Sequence, residues 1–337
     1  MTRRPIAACL AAASALCAAT ALARAEPLTP LNERPQALEG SFFSGDKQKK
    51  LRRSASGIAC ADARSCVVVF DEGIEARRAE LSPKTYAAGA PVALVPDGEE
   101  ADAEGAAFAD RRFYVTGSHA VKRDPIHKCA GNPTARFVAR IEPDGRATPG
   151  VIQPAIDAAP ELRAADRQCL TDGMGLDIEG LAASGGHLWF GFRGPKAPDG
   201  AYVLRVDADA VFSQGDQKPA LLTAHVGAGR TIRDMQAVGD RLLLLAGPPR
   251  GVDDPVGYAL VLFDPATPGE TGSRTLGTLD FSGVKRRKLE GCNDEKSLAD
   301  VKPEGLMVED VDANPWRVAI LSDGLCDGGP LWFEVAR

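Results

Sequence analysis

Glu179-Gly180-Leu181-Ala182, a polar turn, and then His187-Leu188-Trp189-Phe190-Gly191-Phe192-Arg193 are the residues whose reading decides the fold. A short run opened by an acid and a glycine is followed, across a tight turn, by a longer run dense in β-forming side chains. The same unit recurs along the chain. One copy is Glu104-Gly105-Ala106-Ala107-Phe108 with Phe113-Tyr114-Val115-Thr116-Gly117-Ser118-His119, and another is Glu304-Gly305-Leu306-Met307-Val308 with Arg317 to Gly324. A copy at Arg233-Asp234-Met235-Gln236 with Arg241 to Gly247 replaces the Glu-Gly pair by Asp-Met. The weakest is Ser56-Gly57-Ile58-Ala59-Cys60 with Cys66 to Glu72.

A third alternating run follows each pair, such as Ala135 to Ile141 or Tyr202 to Val206, and a fourth follows that, such as Ala220 to Val226. Breakers such as Pro143-Asp144-Gly145 and Asp264-Pro265-Ala266 separate them. Four strands per unit, in tandem and without sustained helical periodicity, predict an all-β protein: a β-propeller of about five four-stranded blades. Long spacers after the second and fourth copies leave a sixth blade open. The last unit stops at its third strand, Leu331 to Ala336, so an N-terminal strand is expected to close the ring, with Ala37-Leu38-Glu39-Gly40-Ser41-Phe42-Phe43 as the candidate.

The ends and the composition place the chain. Arg3 and Arg4, the apolar run Ile6 to Leu22 and the small-x-small Ala23-Arg24-Ala25 read as a signal peptide over residues 1–25, leaving one propeller domain over 26–337. The expected location is periplasmic or secreted, with no membrane anchor. The chain carries a formal charge of −6, and removing residues 1–25 strips three arginines and no acid, so nucleic acid is a poor partner. Six cysteines remain, with no Cys-x-x-Cys pair for zinc. They predict disulfides Cys60–Cys66 across a hairpin, and Cys129–Cys169 and Cys292–Cys326 between long loops.

Those long loops fall at one end of the ring, where binding residues usually sit. The repeat brings Glu104, Glu179, Asp234 and Glu304 to that mouth, with His119 and Arg193 ending the second strands of two blades. Carboxylates about 8 Å apart repel by roughly 2 kcal/mol per pair at an effective dielectric of about 20. Compensation comes from a divalent cation such as calcium, from Arg193, Arg233 or Lys302, or from a raised carboxyl pKa. A purely structural reading has each acid tying its blade to the next through backbone N–H groups. His119 reads as a base, a ligand or a satisfied polar residue, and Ser118 lacks the spacing of a nucleophile elbow.

With Glu104-Gly105, Thr116-Gly117-Ser118-His119, Asp177-Ile178-Glu179-Gly180-Leu181, Arg233-Asp234, Ala246-Gly247-Pro248-Pro249 and Pro303-Glu304-Gly305-Leu306 in this order, the chain resembles a bacterial secreted family known only as domain of unknown function 3616. That resemblance implies a propeller without an assigned activity. The Glu-Gly-Leu repeats are also distantly similar to those of esterase-like phytases, whose catalytic residues have no counterparts that can be placed here. Two functions are expected: binding of a small polar ligand or a periplasmic protein at the mouth, or metal-assisted hydrolysis of an ester, lactone or phosphoester.

Overall fold

The computed structural model describes residues 26–44, 48–95, 100–121, 129, 131–170, 174–249, 256–285, 288–289, 292–293 and 301–337. The expected signal peptide lies outside these residues. After a two-residue strand β1 (Pro27–Leu28) and one helical turn α1 (Gln48–Leu51), blade one is β2 (Ala55–Asp62), β3 (Ser65–Phe70), β4 (Glu75–Leu81) and β5 (Tyr86–Ala93). Blade two is β6 (Ala103–Ala109), β7 (Arg112–Gly117), β8 (Val138–Ile141) and β9 (Ala147–Gly150). The spacer after it forms helices α2 (Gln153–Ala158) and α3 (Pro160–Ala165), so no sixth blade arises there. Blade three is β10 (Asp177–Ser184), β11 (His187–Ala197), β12 (Gly200–Asp207) and, after helix α4 (Ala208–Ser213), β13 (Ala220–Ala224). Blade four is β14 (Thr231–Val238), β15 (Arg241–Gly247), β16 (Ala259–Phe263) and β17 (Ser273–Leu279). A short hairpin, β18 (Lys288–Leu289) with β19 (Cys292–Asn293), precedes blade five: β20 (Lys302–Val308), β21 (Trp316–Asp323) and β22 (Leu331–Val335). Within each blade, strands pair in sequence order, giving a five-bladed propeller.

Sequence pattern follows position in the blade. The second strands lie between neighbouring sheets and are buried on both faces, so they read as unbroken apolar runs, Cys66 to Phe70 and Leu242 to Ala246 among them. Outer strands such as β5 and β13 are only partly buried. The innermost strands carry small residues because five blades crowd the axis. A Cβ on Gly57 would come within 2.3 Å of the Glu104 carbonyl oxygen of the next blade, and one on Gly105 within 2.8 Å of Leu181. Each glycine of the repeated Glu-Gly pair is thus a contact surface between blades.

Ring closure differs in register from the sequence expectation. Ala37 to Phe43 do not supply the missing fourth strand. Residues 31–36 run along β22, with Leu31 N–H donating to Trp332 O (2.7 Å), Trp332 N–H to Asn32 Oδ1 (2.8 Å) and Gln36 N–H to Pro330 O (3.0 Å). Before them, β1 pairs in parallel with β17 of blade four; after them, Glu39 N–H donates to Tyr86 O of blade one (2.7 Å). The segment is therefore a strap across the rims of three blades. Phe42 and Phe43 are buried at its end, edge-on to Phe70 (centroids 5.6 and 4.9 Å apart). Asn32 and Gln36 bond through side chains as well as backbone, which is why no alternating pattern marks the strap. A second closure joins the ends at the mouth, where Arg52 grips buried Asp327 through Nε (2.8 Å) and Nη2 (2.5 Å).

Disulfides Cys60–Cys66 and Cys129–Cys169 are present. Cys326 is disulfide-bonded, and the side chain of its expected partner Cys292 lies outside the described residues. Cys129–Cys169 spans 40 residues, and beside it Val121 bridges Cys169 in parallel. Cross-linking a loop of that length contributes about 3–4 kcal/mol by the chain-entropy relation. The C129A/C169A variant should accordingly melt several degrees below the wild type in differential scanning calorimetry. An unchanged melting temperature would show that the two loops are already held together without the bond.

Candidate functional site

The first strand of every blade carries a β-bulge near its start. Register shifts fall between Ala55 and Gly57, Ala103 and Gly105, Ile178 and Gly180, Ile232 and Asp234, and Pro303 and Gly305. The residue left without a cross-strand partner is Ser56, Glu104, Glu179, Arg233 or Glu304 in turn. Bulges of this kind re-aim a side chain, and five equivalent ones form a ring around the mouth. This corrects the sequence alignment in blade four. Arg233, not Asp234, is the equivalent of the three glutamates, and Asp234 takes the place of the repeated glycine.

Asp234 has the structural task foreseen for the acids. Its Oδ2 accepts the Leu306 N–H of blade five (2.6 Å), and its carboxyl also receives amide bonds from Met235 and from Leu181 of blade three. Burial raises its pKa well above the ordinary carboxyl value, while those amides pull it down.

The other acids converge on two guanidinium groups. Arg233 Nη2 lies 3.4 Å from Glu179 Oε2 and forms a close ion pair with Glu304 Oε1, joining blades three, four and five. Arg193, at the end region of the second strand in blade three, contacts Asp177 through Nε and Glu179 Oε1 through Nη1 (2.7 Å). Asp177, two residues before Glu179, was not among the sequence candidates. Lys302 pairs with Asp323 (Nζ–Oδ2, 2.6 Å) beside Glu304. Repulsion among the acids is thus relieved by arginine. Among the described residues no group of three His, Cys, Asp or Glu side chains is arranged to hold a metal ion.

Burial and mutual repulsion also act on the protons. Glu104 is 7% exposed and stands among other acids. Burial first, and then Glu179, Asp102 and Glu304, push its pKa well above the ordinary value. Burial pushes Glu304 up to about 8 against the pull of Arg233, and Asp177 up to about 7 against that of Arg193. Arg193 gains from its acidic neighbours more than burial takes away, so its charge is held more firmly than usual. Near neutral pH the ring therefore combines fixed cations with carboxyl groups that donate as well as accept.

His119 stands apart from this ring. It has φ of +57°, its Nε2 lies 3.3 Å from Phe137 O, and burial followed by Arg136 lowers its pKa to about 4. Its imidazole is neutral at physiological pH. Ser118 Oγ donates to Asp102 rather than engaging His119, so no Ser-His relay forms here.

These shifts set a pH dependence. Asp177 and Glu304 have folded pKa values raised above their unfolded ones, so their contribution is complete below about pH 4 and is lost as pH rises through about 7 and about 8. His119 acts oppositely, but only between its folded value of about 4 and its ordinary 6.5. From about pH 6.5 to 8, then, unfolding free energy should fall as pH rises, by roughly 1 kcal/mol per pH unit for each retained proton. Urea unfolding at the two pH values measures this, and E304Q should flatten the slope. Stability rising across that window would contradict the buried, protonated ring.

Comparison with known proteins adds the following. A family model described as a protein of unknown function, DUF3616, matches residues 57–144 and 171–260. Among solved structures, virginiamycin B lyase from Staphylococcus aureus is similar at 10% identity and a TM-score of 0.36, covering 83% of this chain and 65% of that one. The chain thus spans just under two thirds of the lyase's length. A putative gluconolactonase is similar at 12% identity and a TM-score of 0.38, with 81% and 71% covered. A protein of unknown function from Bacteroides thetaiotaomicron is similar at 10% identity and a TM-score of 0.40, with 92% and 74% covered. No curated protein matches the chain.

Proposed function

This chain belongs to the DUF3616 family of proteins of unknown function, and on that premise we propose that it is an exported propeller that binds a small, oxygen-rich polar ligand at the mouth of its channel. The observation that carries the reading is the ring of bulge residues, Ser56, Glu104, Glu179, Arg233 and Glu304, one from each blade. A buried carboxyl set beside other acids, as Glu104 is, is costly to keep in a fold unless something uses it. Its neighbours supply donors and acceptors within one small region, which is the chemistry that hydroxyl and carbonyl groups require.

Export is supported by two disulfides, which persist in oxidising compartments, and no helix among the described residues is long and apolar enough to cross a membrane. A ligand-observed NMR screen of sugars, polyols, hydroxy acids and amino acids, run on the wild type and on Glu104→Gln, tests the proposal. Hits should weaken about ten-fold in the variant while its melting temperature stays within a few degrees. An absence of hits, or hits indifferent to every ring substitution, would defeat it.

A further inference from the structure

Two buried side chains carry polar atoms with no hydrogen-bond partner among the described residues. Arg233 is 2% exposed and spends its Nη2 on Glu179 and Glu304, yet its Nε and Nη1 donors bond to nothing among the described residues. Tyr258 is 7% exposed and its hydroxyl is likewise unpaired. The two are neighbours. A Cβ on Gly247 would lie within 2.4 Å of the Tyr258 ring and 3.0 Å of Arg233 Cγ, so the glycine lets the phenol and the arginine stem pack over one backbone position. Burial raises the Tyr258 pKa to about 12, and Arg233, Glu304, Lys302 and Glu179 act on it electrostatically.

The unspent groups of Arg233 are donors only, and a guanidinium cannot accept. Whatever completes them must bring acceptor oxygens, as the phenol also can use. A cationic ligand would set its charge against Arg193, Arg233 and Lys302. An anion meets those three cations while burial holds protons on Glu104 and Glu304, and those protonated acids can donate to it.

We infer that the ligand is a small hydroxy-carboxylate, with its acceptor oxygens seated on the free donors of Arg233 and on the Tyr258 hydroxyl. This rests on the mouth being a binding site at all. Hydroxyls further along the ligand would meet Glu104 and Ser56, and binding would draw protons into the ring.

The test is isothermal titration of the purified protein with aldonates of three to six carbons, each paired with the alditol of the same length. At least one aldonate should bind about ten-fold more tightly than its alditol at pH 6.5, and its affinity should fall as pH rises to 8.5. Tyr258→Phe should weaken that aldonate about ten-fold and leave the melting temperature unchanged, because the hydroxyl makes no bond that the free protein would lose. If alditols bind as well as aldonates, the carboxylate is refuted while the mouth stands as a site. If neither series binds, the mouth reading falls with it. If Tyr258→Phe binds as the wild type does, or is merely less stable, the proposed seat is wrong.

Discussion

Replacing Arg233 with methionine should lower the melting temperature at pH 7.5 by roughly 10 °C. The guanidinium is 2% exposed and lies between Glu179 and Glu304, and removing one partner of a buried ion pair typically costs about 3–5 kcal/mol. At about 2–4 °C per kcal/mol for a protein of this size, the expected shift follows. Its pH dependence is the diagnostic part. Without the guanidinium Glu304 is driven further toward protonation in the folded state, so folding at neutral pH must take up protons from solution. That cost shrinks as pH falls toward the unfolded carboxyl pKa of about 4.3. The deficit should therefore be largest at pH 7.5 and much reduced at pH 5. A deficit constant across that range would mean that Arg233 contributes packing rather than charge. Arg233→Lys, which keeps the charge and loses the second contact, should fall between the two proteins.

The second large effect concerns the axis. Gly57→Ala should abolish soluble expression or destabilise the ring by more than about 3 kcal/mol, the upper end of what overpacking usually costs. Its new methyl would meet the Glu104 carbonyl oxygen at 2.3 Å and Val69 Cγ2 at 2.9 Å. The first of these is backbone of the adjacent blade and cannot swing aside. Gly283→Ala is the control, since nothing lies within 4 Å of a Cβ there, and it should stay within about 0.5 kcal/mol of the wild type. Soluble yield and guanidinium unfolding measure both. Equal stability of the two variants would show that the inner strands do not touch across blades.

These two positions also show what the sequence discloses and what it hides. The glycine after the bulge is visible as a repeat because four of the five blades impose the same steric demand, and blade count and strand order follow from it. Strand register is not visible, since a bulge inserts one residue without any fixed residue type. The eye therefore aligns Asp234 with the glutamates by charge, whereas pairing of Ile232 with Ala246 and Asp234 with Leu245 leaves Arg233 in the ring. Asp177 carried a usable signal: Asp-x-Glu occurs at both 102–104 and 177–179, placing a second acid just before each bulge. Tyr258 carried none, because an aromatic opening an apolar strand reads as core. Cys129 and Cys169 could be paired from topology alone, since it makes their two loops neighbours.

The strap has a bearing on how the chain comes to be whole. Asn32 finds its partner 298 residues later, at Pro330, so residues 31–36 can settle only once that part of the chain is in place. Until then residues 31–36 lack the backbone at the head of β22 to which they bond. A polypeptide cut short before Leu331 would keep the grip of Arg52 on Asp327 and lose the strand against which the strap is seated, so the rim would stay open on that side.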